Sequence, residues 1–200
     1  MTEIGALVLV TGTTFEPVTR SETKLWLKVD EDETADDALI DALLTTARQR
    51  WEQRAERSCL KQTFDYVLDE EPCENEILLP RSPLVSVTSV KGYANTDLTD
   101  TGGVTMNSSG YYVDTAHEPG RVVLLGSASW PSATRNANAF IVRFTAGYSS
   151  QSSGVPEQAK TEIKQLVAAL YEHRGDQAAM QEILTEFDKR PSDLELPEWG

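Results

Sequence analysis

Asp114 and His117 lie three residues apart, and Ser108 and Ser109 stand just before them, which assembles the residue types of a hydrolytic triad. A triad needs the serine displayed on a sharp elbow such as G-x-S-x-G, and no such motif occurs in the chain. The stretch 107–120 reads instead as turn and loop, where Ser, Asn and Asp recur because their side chains bond nearby backbone. A zinc site would have to draw on Cys59, Cys73, His117 and His173. Their spacings contain neither a C-x₂₋₄-C nor an H-x₃₋₅-H pair, so the expectation is buried or half-buried thiols and surface imidazoles. The acidic run around Asp30, Glu31, Asp32, Glu33, Asp36 and Asp37 lacks the D-x-[DN]-x-[DN]-G order of a calcium loop and reads as the solvated start of a helix. No P-loop or G-x-G-x-x-G is present. The residues thus offer no catalytic, metal or cofactor site, and the expected work is binding rather than catalysis.

The bulk composition points the same way. The chain has 200 residues, 40% hydrophobic and 25% charged, the balance of an ordinary globular protein. The formal net charge of -14 divides almost evenly, at -5, -4 and -5 over residues 1–60, 61–148 and 149–200. Gripping phosphates requires clustered Lys and Arg, and no segment is basic. The longest apolar run, Ala6 to Val10, is far short of a membrane span. No basic segment precedes that run, so no secretory signal is expected, and two cysteines fit a reducing cytosol.

The elements that would position these residues fall into three blocks. Residues 1–60 hold an N-terminal strand and two helices. Thr19 with Glu22 forms a capping box before Leu25, Trp26 and Val29. A longer helix then spans about Thr34–Arg57, with acids at its start, arginines at its end, and the stripe Leu39, Ile40, Leu43, Leu44, Ala47, Trp51 and Ala55. On this spacing Trp26 and Trp51 both belong in the core. Residues 61–148 read as an inserted β domain of short strands: Thr63–Leu68, Glu76–Leu79, Leu84–Val90, Val104–Met106, Tyr111–Val113, Arg121–Leu125 and Ala139–Tyr148. Residues 149–190 return to helix, first from Pro156 with Ala159, Ile163, Leu166, Val167 and Leu170 inward, then over about Ala178–Phe187. The predicted class is α+β: a small bundle of flanking helices with an inserted antiparallel sandwich or barrel. Residues 191–200 form a polar tail punctuated by Pro191 and Pro197, in which Leu194, Leu196 and Trp199 are candidate anchors for a partner.

In order and spacing the chain resembles the head–tail connector (adaptor) proteins of long-tailed bacteriophages. The resemblance rests on Leu7–Thr11, Glu16-Pro17-Val18-Thr19 leading into Lys24–Val29, the Leu39–Cys59 helix and Leu79–Val87. It closes with Phe144-Thr145-Ala146-Gly147-Tyr148 and Leu166–Arg174. It implies a homo-oligomeric ring, twelvefold in that family, seated in the virion neck between the portal and a head-closure (stopper) or tail protein. Assembly would occur in the host cytoplasm, and DNA would pass through without specific binding, with no cofactor, no enzymatic reaction and no membrane contact. On that reading Leu194, Leu196 and Trp199 would meet the portal, and the acids from Asp30 to Asp37 would face the channel or its rim. The alternatives are another neck component, a head-closure or tail-terminator protein, or a small hydrolase or ligand binder built on the Asp114–His117 loop.

Overall fold

A computed structural model describes residues 5–97, 99, 101–190 and 194. The class is α+β, with two antiparallel sheets and four α-helices among the described residues. The chain divides into two compact units: residues 1–12 with 61–147, and residues 13–60 with 148–200.

The first unit carries the strands. β1 (Ala6–Thr11), β2 (Gln62–Leu68), β4 (Leu84–Gly92), β5 (Val104–Thr105) and β8 (Phe140–Ala146) form one sheet, ordered β1-β2-β8-β4-β5. β3 (Glu76–Leu78), β7 (Arg121–Leu124) and β6 (Tyr111–Asp114) form a second, ordered β3-β7-β6. The alternation of Phe140, Val142 and Phe144 sets the register. Phe64 faces Phe144, Tyr66 faces Val142 and Leu68 faces Phe140 across the β2–β8 ladder. The Phe64 and Phe144 rings lie 5.7 Å apart, a cross-strand aromatic pair worth roughly 0.2–1 kcal/mol. On the opposite face Arg143 ion-pairs with Asp65 at 2.8 Å. Buried residues of both sheets, among them Ile77, Leu79, Val122 and Phe144, share one hydrophobic cluster, and neither sheet closes into a barrel.

Strand β1, which the sequence groups with the helices of residues 1–60, adds instead to the edge of the large sheet, because its backbone pairs with β2 from Ala6↔Val67 to Thr11↔Thr63. Trp130, in the loop between β7 and β8, is buried: it meets the Phe140 ring edge-on at 5.9 Å, and its Nε1 donates to the Glu74 carbonyl at 2.8 Å.

The second unit holds α1 (Arg20–Leu27), α2 (Asp37–Ala55), α3 (Glu157–Glu172) and α4 (Gln177–Lys189). The α1 start is the predicted capping box: Thr19 Oγ1 accepts the Glu22 N–H, and Glu22 Oε2 accepts the Thr19 N–H at 2.7 Å. The stripe of α2 buries Ile40, Leu43, Leu44, Ala47, Trp51 and Ala55, and α3 buries Ala159, Ile163, Leu166, Val167 and Leu170 against it in one core. Asp176 caps α4 by accepting the Ala179 N–H at 3.0 Å.

Trp26 departs from the expectation that it packs in the core. It is 45% exposed with Lys164 Nζ 5.0 Å from its ring centre, and neighbouring Leu25 is 81% exposed. The helix turns Thr23 and Lys24 inward instead. Lys24 is held there by acceptors of the segment that follows and of the first residue of α2.

Candidate interaction surfaces

The acidic segment ahead of α2 is built around that buried lysine. Lys24 Nζ donates to the backbone carbonyls of Glu31 (3.0 Å) and Glu33 (2.6 Å) and pairs with Asp37 Oδ1 at 2.6 Å. Arg20 holds Asp37 Oδ2 at 3.0 Å and clamps Asp41 with a second fork. The Lys24 ammonium, followed by Arg20, holds the Asp37 carboxyl below the ordinary carboxylate range. Asp36 Oδ2 accepts the Tyr171 hydroxyl at 2.5 Å, and this bond together with burial pushes the Tyr171 phenol up. Asp37 and Asp36 are thus engaged with the unit's own cations and hydroxyls. Asp30, Glu31, Asp32 and Glu33 are exposed; Glu31 accepts the Ser21 hydroxyl at 2.8 Å and Glu33 accepts the Ala35 N–H at 2.9 Å. Sequence reasoning missed Lys24 because the helical spacing of Leu25 and Trp26 to Val29 points to the wrong buried face.

A second polar chain runs along α2. Arg48, side chain 8% exposed, bonds Glu16 Oε2 and Glu52 Oε2, each at 2.8 Å, and Glu52 Oε1 accepts the Cys59 N–H at 2.9 Å. Arg54 pairs with Glu162, which also accepts Trp51 Nε1 at 2.9 Å, and Arg50 pairs with Asp188 at 2.9 Å. The arginines gathered at the end of α2 therefore face partners inside the unit. The signal available in the sequence was Arg48 followed by Glu52 at i,i+4 on the edge of an apolar stripe.

The Asp114–His117 loop holds together without forming a triad. His117 Nδ1 lies 2.6 Å from Asp114 Oδ2, and Arg121 Nε reaches the same oxygen at 3.0 Å. Burial opposes ionisation of Asp114, but Arg121, the Ala116 N–H and His117 outweigh it and keep the carboxyl below its ordinary range. Ser108 and Ser109 sit in a short 3₁₀ turn, where the Ser109 hydroxyl donates to Asn107 Oδ1 at 2.9 Å rather than to the imidazole. Arg121 also pairs with Glu76 at 2.9 Å, so the cluster ties β6, β7 and β3 together.

The two thiols are free. Cys59 is fully buried, and burial, with the Glu52 carboxylate adding, pushes its thiol up, away from a reactive thiolate. Cys73, expected to be at least half buried, is exposed. Among the described residues no three His, Cys, Asp or Glu side chains gather as a metal site, and no helix is long and apolar enough to cross a membrane. A groove of about 340 Å³ lies between α3 and α4, lined by Leu166, His173, Ile183, Phe187 and Arg190.

Of the candidate anchors, Leu194 is half-buried against the helical core, and its carbonyl accepts Arg57 Nε. Leu196 and Trp199 lie outside the described residues. Apolar side chains stand exposed on β1 (Val8, Leu9, Val10), at Val104 on β5, and at Phe15, Leu25 and Trp26 in the helical unit.

No family model and no curated protein matches the sequence. The fold is nonetheless shared with solved structures. A chain from the neck of an empty GTA particle computed with C6 symmetry superposes with a TM-score of 0.74, at 19% identity, over 94% of this chain and 97% of its own. A chain from the virion of a native gene transfer agent (GTA) particle gives 0.73 at 20% identity, over 93% and 96%. A chain from the neck of a native GTA particle computed with C12 symmetry gives 0.70 at 18% identity, over 94% and 97%.

Proposed function

We propose that the chain is a head–tail connector (adaptor): a ring subunit in the neck of a tailed particle, seated between the portal and the next neck or tail protein. The observation that carries this reading is the likeness to neck chains along nearly the full length of both partners, at TM-scores of 0.70 to 0.74. Both units of the fold are matched at once, which a shared sheet or helix pair alone would not produce. The C6 and C12 symmetry of the neck particles supports a closed ring of six or twelve copies. The work is assembly without a reaction, in the virion neck after association in the host cytoplasm, with the helices as a small bundle and the two sheets as a sandwich.

Mass measurement of the purified chain, alone and mixed with the portal protein of its own particle, tests the reading. Rings of six or twelve subunits are expected in at least one condition; a single subunit in both rejects it.

Within that ring the exposed carboxylates of Asp30, Glu31, Asp32 and Glu33 face the channel or its rim, repelling DNA phosphates within about 8 Å at physiological salt. Asp36 and Asp37 contribute less, since Tyr171, Lys24 and Arg20 hold them. The tail meets the portal, with Leu196 and Trp199 as anchors, while Leu194 packs against the helical core. Ending the chain after Leu194 should abolish portal binding and leave melting unchanged. Removing 191–200 altogether would also strip Leu194 from the core, so that deletion does not separate binding from folding.

A further inference from the structure

Among the described residues the large sheet ends in two edge strands with no further strand beside them, and both are uncharged. β1 forms one edge; its residues Val8, Leu9 and Val10 are 48%, 54% and 42% exposed, and no charged residue occurs between Gly5 and Phe15. The opposite edge is β5 together with the part of β4 it leaves uncovered, since β5 pairs with Lys91 and Gly92 of β4 and the Met106 N–H that follows it bonds the Val90 carbonyl. That edge carries Val104 at 65% exposure, and neither Ser82–Val90 nor Thr101–Val113 contains a charged residue. Soluble proteins commonly guard free strands with lysine or proline. Neither β1 nor β5 has one.

We propose that these two edges are the seam between copies of this chain, β1 of one subunit lying beside the β5 edge of the next so that the large sheet continues from subunit to subunit. This rests on the ring reading above and names the contact that would close it. The occupant is a second copy for two reasons. Copies with a net charge of -14 repel, so a contact between them must run through neutral strips, and both edges are such strips. A ring also requires two different faces on each subunit, which two opposite ends of one sheet supply, whereas β1 against β1 would give only a closed pair. Backbone N–H and C=O groups along the edges provide affinity, and Val8, Val10 and Val104 cover the joint.

The test uses full-length chain with Cys73→Ser, leaving the buried Cys59 out of reach of reagents. Neighbouring strands lie about 4.8 Å apart, within reach of a short bismaleimide. Val8→Cys combined with Val104→Cys or with Thr88→Cys should give covalent ladders of three or more subunits, while each single variant should give none. Val8→Glu and Val104→Glu, both at exposed positions and checked for unchanged melting, should each reduce the assembled fraction at least tenfold. Covalent dimers from Val8→Cys alone would overturn the seam in favour of β1–β1 pairing. Rings that persist in both Glu variants without ladders would overturn the seam and leave the ring reading standing. A wild-type chain that stays single, alone and with portal, would overturn both.

Discussion

Replacing Arg48 with Met tests whether the polar chain along α2 is a structural necessity. Arg48 stands between Glu16 and Glu52, 2.8 Å from each, and the Glu52 side chain is only 9% exposed. Glu16 is 25% exposed and can turn toward water, whereas Glu52 is 9% exposed and keeps the Cys59 N–H. Leaving one member of a buried pair costs roughly 3–5 kcal/mol. The retained hydrogen bond and the escape of Glu16 place the expected loss at the lower end, about 3 kcal/mol at pH 7. For a chain of this length that is a drop in Tm of about 6–12 °C. Glu52→Gln added to Arg48→Met should recover most of it. Urea unfolding followed by fluorescence of the buried Trp51 reads the transition of the helical unit. A loss under about 1 kcal/mol would refute the reasoning.

Three further outcomes follow from local geometry. Gly92→Ala places a Cβ 2.5 Å from the backbone oxygens of both Pro131 and Ser132, which cannot yield as a flexible side chain would, so thermal melting should show a loss of about 1–3 kcal/mol. Thr19→Ala removes the acceptor that starts α1 and should cost about 1 kcal/mol in denaturant titration. Maleimide added to the native chain should modify Cys73 alone, with Cys59 reacting only after denaturation, as intact mass will report.

The helical unit was largely legible because its signals are local. The Thr19–Glu22 box, the α2 stripe and the α3 stripe each lie within a few turns of chain. The strands were legible for the same reason, alternation at Phe140, Val142 and Phe144 being visible without knowing the partner strand. What the sequence could not supply was pairing over long separation. β1 meets β2 across more than fifty residues, so its membership in the sheet is set by backbone bonding rather than by composition. Trp26 misled because helical spacing identifies an apolar stripe but not what lies opposite it, and here the opposite face carries an ammonium with three acceptors waiting. The candidate surfaces were half visible: the acid run stands out as composition, whereas its division into outward carboxylates and those turned inward needs coordinates.

The Lys24 arrangement has a consequence for what can replace it. Two carbonyls and a carboxylate converge on a single nitrogen, which matches the tripod of N–H bonds on an ammonium and not the flat fan of a guanidinium. Arginine at position 24 would preserve the charge and still lose the knot, letting four neighbouring carboxylates push their loop open. The chain thus spends one cation inside to keep a fixed array of anions outside, and the shape of that array depends on the valence geometry of one atom.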